Sequence, residues 1–148
     1  MGLIERIRTV GYTDLEPDFV PAWAGAPTTS LADAADEILE GSDVLIAARN
    51  FLDQVNHVDR VTLQELIEQQ PSATGDRRAD AMLGALAEYV ATRFDLRAPA
   101  RTAESTRFLD RFWFVSDVPA FRAISLVQSP AALKRRGILW PERSMQRV

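Results

Sequence analysis

RFLDRFWFVSDVPAFRAISLVQSPAALKRRGILW, residues 107–140, is the stretch on which the fold turns. Phe108, Phe112, Trp113, Phe114 and Phe121 crowd its first half, arginines lie between them, and Trp140 closes the run. Large apolar groups at that density mark a folding core. Residues 107–115 fit either a short helix or a buried strand, because the apolar run lacks a clean period. Beyond them the signals are helical. Asp117 is placed to cap a helix with Val118 and Pro119 in its first turn, where a missing N–H costs little. Ser129-Pro130 repeats that start for AALKRR, and Gly137 supplies the stop. Ile138, Leu139, Trp140 and Pro141 then read as an apolar hook folded back on the domain.

Upstream, the helical period is clearer. Ser30 and Asp33 stand three apart like a capping box, followed by Leu31, Ala34, Ala35, Ile38 and Leu39, with Gly41 as the stop. Ser42 is placed to cap a second helix, striped by Val44, Leu45, Ala48, Phe51, Leu52 and Val55. The join at Gly41-Ser42 admits a tight two-helix hairpin or one kinked helix. Thr62 and Glu65 suggest a second capping box for a helix over 63–69, ended by Pro71. PSATGD, residues 71–76, is a turn. A long helix follows over about 76–94, with Ala79, Met82, Leu83, Leu86, Val90 and Phe94 on its apolar face and alanines that permit close helix approach. Residues 95–106 are irregular.

The first 29 residues differ in kind. LIERIRTV, residues 3–10, has helical spacing for about two turns. Residues 11–29 then carry Pro17, Pro21 and Pro27 with Gly11 and Gly25, which leaves few backbone donors for a helix. Tyr12, Phe19, Val20 and Trp23 are too apolar for a plain linker, so this arm is expected to pack on its own domain or grip a neighbouring chain. The whole chain reads as all-α: a compact bundle of about six or seven helices over 30–148, one domain, with an extended Pro-rich N-terminal arm over 1–29 and at most a trace of strand.

Composition narrows the function classes. The 148 residues suit one domain, and 47% hydrophobic with 26% charged residues is the balance of a globular chain. No apolar run is long enough for a membrane span, and MGLIERIRTVG lacks the order of a secretory signal, so a cytoplasmic location and no membrane partner are expected. With no cysteine, disulfides, thiolate nucleophiles and thiolate metal sites are excluded. His57 is the single histidine; it lacks any metal-ligand spacing and reads as a helix-end residue facing terminal carbonyls. Asp36, Glu37 and Glu40, and Glu65 with Glu68, lie on polar helix faces rather than in a desolvating pocket, as acid–base chemistry requires. No phosphate-cradling glycine motif is present. Neither a catalytic residue, a metal site nor a cofactor is expected.

Charge is unevenly laid out. Residues 1–74 hold 4 basic and 13 acidic side chains, residues 75–148 hold 13 and 8. Lys134, Arg135 and Arg136 end a helix, where cations meet the negative end of its dipole. The same three are the candidate nucleic-acid-binding residues, through phosphate contacts. The tandem short helices 118–128 and 130–136 invite a helix-turn-helix reading. Gln128-Ser129-Pro130 lacks the usual turn glycine, however, and the second helix is short and largely apolar. Trp113 and Phe114 read first as core; an aromatic left exposed beside Arg122 would form a protein-binding hot spot.

TGDRRADAMLGALAE at 74–88, RFLDRFWFVSDVPAFRA at 107–123 and SPAALKRRGI at 129–138 together resemble a group of small helical proteins, frequent in actinobacteria and encoded beside a nucleotidyltransferase-like protein. Such pairs resemble toxin–antitoxin modules, with the helical protein as antitoxin. The resemblance spans about residues 40–140 and omits the arm. It implies a non-enzymatic protein whose partner is a cognate toxin. Asp33, Asp36, Glu37 and Glu40 on the acidic side, with Trp113 and Arg122, are then the candidate partner-binding residues. Operator DNA is a second candidate partner, which would make the chain a regulator acting through its Arg-rich half, and a homodimer is a candidate assembly.

Overall fold

Ser30 opens the first helix among the described residues, as its spacing predicts. Its hydroxyl accepts the Asp33 N–H at 3.0 Å, and the Asp33 carboxylate accepts the Ser30 N–H at 2.8 Å. In this computed structural model, which describes residues 27–146, that capping box begins α1, Leu31–Leu39. The helix expected over 3–10 and residues 11–26 of the expected arm lie outside the described residues. Gly41, at φ +112°, ends α1: its N–H reaches Ile38 O at 3.0 Å and that of Ser42 reaches Glu37 O at 2.9 Å. This paired closure turns the chain back on itself, so the join is a hairpin. Ser42 is thereby spent in α1's closing turn. The cap of α2, Val44–Leu52, is Asp43, which accepts from the N–H groups of Leu45 and Ile46, a correction to the expected Ser42 cap.

A similar correction applies to α3, Arg60–Glu68. Its cap is Asp59, not Thr62, so the helix starts earlier than expected. Asp59 accepts both the Thr62 N–H at 2.9 Å and its hydroxyl at 2.8 Å, so Thr62 donates to the cap instead of acting as one. Asp76 caps α4, Arg77–Arg93.

α4 is the axis of the fold. It packs on α1, α2 and α3, and on the later segments 100–103, 105–107 and 131–134. It is buried nearly all round from Ala79 to Ala91, not along one stripe as its amphipathic pattern suggests. Five alanines and Gly84 among those buried positions keep its girth small, which lets neighbours close on several sides at once.

The stretch after α4 forms two single-turn 3-10 segments, Ala100–Ala103 and Ser105–Arg107, which pack on α4. Arg101 donates to the carbonyls of Ile67 and Glu68, closing the end of α3. Arg60 donates to those of Phe94 and Asp95, closing the end of α4. Each puts positive charge where unsatisfied carbonyls collect.

Residues 107–115 contain a strand, β1, Trp113–Phe114, which pairs in parallel with β2, Ile138–Leu139. Between them stand a 3-10 turn at Pro119–Phe121, then α5, Arg122–Gln128, and α6, Ala131–Lys134. Asp117 does not cap: Val118 precedes the turn, and its N–H is taken by the Ser116 hydroxyl at 3.2 Å. Ser129 does not cap either, because its hydroxyl donates back to Ser125 O at 2.6 Å. The hook is buried as expected, with Trp140 at 2% exposure, and a further short helix, α7, Glu142–Met145, follows it. With seven α-helices and one two-residue strand pair among the described residues, the fold is all-α.

Candidate partner-binding site

β1 and α5 owe their positions to one glycine. Trp113 N–H donates to Gly137 O at 2.7 Å, Val115 N–H to Leu139 O at 3.1 Å, and Leu109 N–H to Arg136 O at 3.0 Å. Gly137 stands at φ +86°, and a Cβ there would meet Leu109 Cβ at 3.2 Å and Arg111 O at 3.3 Å. Only glycine fits both the turn and the close approach. The seam fixes β1, and the chain leaving it carries α5 across the surface.

α5 buries little. Ser125 is its one fully buried residue. Val118 and Phe121 just before it, and Leu126 within it, are about half exposed, and Val127 is 76% exposed. Phe112, before β1, is 67% exposed. Four large apolar groups are thus exposed within ten residues, which makes this stretch the candidate contact surface.

Two arginines stack on the aromatics of β1, and one of them stands beside this surface. The Arg122 guanidinium lies 5.3 Å from the Phe114 ring centroid, and that of Arg78 lies 5.1 Å from the Trp113 ring. Adjacent strand residues face opposite ways, so these two stacked pairs sit on opposite faces of β1. Trp113 and Arg122, both expected to bind a partner, therefore do not share a face. Arg122 belongs with the α5 surface, while Trp113 is half-buried beneath Arg78.

The acidic candidates also divide. Asp33 is engaged in the α1 capping box. Asp36 and Glu40 are exposed and Glu37 is half-buried; among the described residues none of these three is ion-paired.

Lys134, Arg135 and Arg136 do not form one cationic surface, a correction to the expected triplet. Arg136 is fully buried. It donates to the Glu88 carboxylate, to Ala132 O at 2.9 Å and to Thr102 O at 2.7 Å, and its guanidinium stacks 4.7 Å from the Phe108 ring centroid. Desolvation lowers its pKa, and Glu88 opposes that shift. Arg135 pairs with the same carboxylate at 2.8 Å, and Lys134 Nζ donates to Leu126 O at 3.2 Å. α6 has four residues, and Ala132 and Leu133 are buried. It lacks the length of a groove-reading helix. Nothing in the sequence separates Arg136 from its neighbours, since its acid lies 48 positions away.

His57 stands exposed after α2, its N–H on Gln54 O at 2.8 Å. Among the described residues there is no cluster of three or more His, Cys, Asp or Glu able to hold a metal. A cavity of about 530 Å³ between α4 and α6 presents Glu88 and Glu142 with Tyr89 and Arg93, but Glu88 is committed to Arg135 and Arg136.

No family model, curated protein or solved structure matches this chain.

Proposed function

We propose that this chain is a non-enzymatic partner-binding protein, the antitoxin that neutralises a cognate nucleotidyltransferase-like toxin. The observation that carries partner binding is α5, which leaves Leu126 and Val127 in solvent with Val118 and Phe121 beside them. A helix that stable folding alone had shaped would turn those groups inward, since each buried side chain of this size contributes about 1.5–3 kcal/mol. The toxin assignment rests on the sequence resemblance. The exposed Asp36 and Glu40 suit a partner that carries basic, nucleic-acid-binding surface, by steering encounter and disfavouring other proteins.

The test is co-expression with the product of the adjacent gene, followed by purification through a tag on one chain. A stoichiometric complex that survives nuclease treatment is expected, and Val127→Asp should weaken it. Failure of the two products to associate at any salt concentration sinks the reading.

A further inference from the structure

A groove of about 340 Å³ runs between α2, α5 and residues 140–144. Leu45, Val115, Ile124 and Trp140 make its apolar lining, and Arg49 and Arg143 bring positive charge. No Asp or Glu is among the described residues that line it. Arg49 is held in place: its guanidinium stacks 5.3 Å from the Trp140 ring centroid and donates to Ser144 O at 3.1 Å. With five donors on a guanidinium, others stay open to an acceptor in the groove. The groove thus suits an acidic ligand with large apolar side chains.

The chain contains such a segment. YTDLEPDFVPAW, residues 12–23, has Asp14, Glu16 and Asp18 set among Tyr12, Leu15, Phe19, Val20 and Trp23, with no basic residue. Pro17 and Pro21 fix φ at two of its positions, which lowers the entropy lost on ordering. The described chain begins close by. Pro27, Thr28 and Thr29 line a small cavity together with Asn50, Asp53, Gln54 and His57. The Gln54 amide clamps Thr29, accepting its N–H at 2.9 Å and donating to its carbonyl. Asn50 follows Arg49 in α2, and Asp53 is about one turn, roughly 5.4 Å, beyond it. Trp23 stands four positions before Pro27, a reach of up to about 14 Å. The segment is therefore tethered beside a groove of complementary charge, at the high effective concentration that a short tether gives.

We propose that residues 12–23 dock in this groove of their own chain, with their carboxylates toward Arg49 and Arg143 and an aromatic side chain on the Trp140–Ile124 floor. The seat reaches Phe121, which also lines the groove. If the partner-binding reading holds, segment and partner then contend for one end of the α5 surface; the docking itself does not depend on that reading.

The absence of cysteine allows a clean test on the full chain. A nitroxide is attached at Ser144→Cys on the exposed groove rim, with Ser116→Cys as a second labelling site, and amide signals are recorded on the same, isotope-enriched molecule. The expected result is loss of peak height for the amides of residues 12–23, unchanged on dilution. It should be absent when nitroxide and isotope are on separate molecules in a mixture. The triple variant Asp14→Lys, Glu16→Lys, Asp18→Lys should restore those peaks while the signals of α4 stay in place. No broadening at either labelling site overturns the proposal. Broadening that persists at comparable strength in the mixed sample also overturns it, and assigns the groove to a second copy.

Discussion

Gly84 and Arg107 occupy one another's space. A Cβ on Gly84 would stand 2.9 Å from Arg107 Cβ and 3.1 Å from its Cγ and Cδ. Arg107 is 5% exposed, crosses α4 at that point and donates to Asp80 O at 3.1 Å. In an open helix Gly→Ala is worth about 1 kcal/mol of added stability. Here the methyl group meets the stem of a buried side chain whose far end is fixed. Gly84→Ala should therefore destabilise the fold by about 1–3 kcal/mol, read as a lower urea midpoint with unchanged slope. A rise in the midpoint would mean that Arg107 moves aside freely.

Glu88 carries the neighbouring charge balance. It accepts from both Arg135 and Arg136, and Arg136 has no solvent exposure. Glu88→Ala strands a buried guanidinium and should cost about 3–5 kcal/mol. Adding Arg136→Met to that variant removes the stranded charge and should recover part of the loss. A double variant no more stable than Glu88→Ala would show that Arg136's bonds to Ala132 O and Thr102 O matter more than its charge pairing.

The first capping box, the extent of α4, the stop at Gly137 and the buried Trp140 were legible because each signal is local: a cap, a period, a glycine, an apolar cluster. The α2 and α3 caps were not. Ser42 and Thr62 are good cap residues, but Asp43, next to the one, and Asp59, three positions before the other, take the caps. The all-round burial of α4 was hidden because alanine reads as weakly apolar although it suits a crowded axis. Arg136 looked like its neighbours because its partner, Glu88, is remote in sequence. Of the candidate site, Arg122 stands out in the sequence as a cation among aromatics, whereas the exposure of Leu126 and Val127 carries no signal there, since period alone does not say which apolar groups find a partner.

The α2 cap offers a paired test. Asp43→Ala removes the acceptor for the Leu45 and Ile46 N–H groups and should cost about 0.5–2 kcal/mol. Ser42→Ala leaves the backbone closure of α1 intact and should change stability by less than about 0.5 kcal/mol. Thermal melts of the two variants decide which residue is the cap.

Asp59 sets a pH dependence. The backbone N–H and hydroxyl of Thr62 hold its carboxyl below the ordinary value of 3.8. A folded pKa lower than the unfolded one means that the ionised group favours the fold. Its contribution is complete above the unfolded pKa and disappears as pH falls through the folded pKa. Asp59→Asn keeps a capping oxygen but removes the titration, so its melting temperature should fall less steeply than wild type between about pH 5 and about pH 2. Parallel curves for the two proteins would remove Asp59 from the acid response.

The α5 surface separates binding from stability. Val127, at 76% exposure, loses little packing when replaced, so Val127→Asp should alter folding stability by no more than about 0.5 kcal/mol. Leu133→Asp, in the core, is the contrasting variant and should unfold the domain. If Val127 is central to the proposed complex, Val127→Asp should weaken association by about 2 kcal/mol, roughly 30-fold in Kd, measured by calorimetry against the purified partner. Phe121→Ala should weaken it as well, because half of that ring is in solvent beside Arg122. Both variants binding at wild-type strength, with melting curves unchanged, would move the interface off α5 and toward the exposed carboxylates of α1.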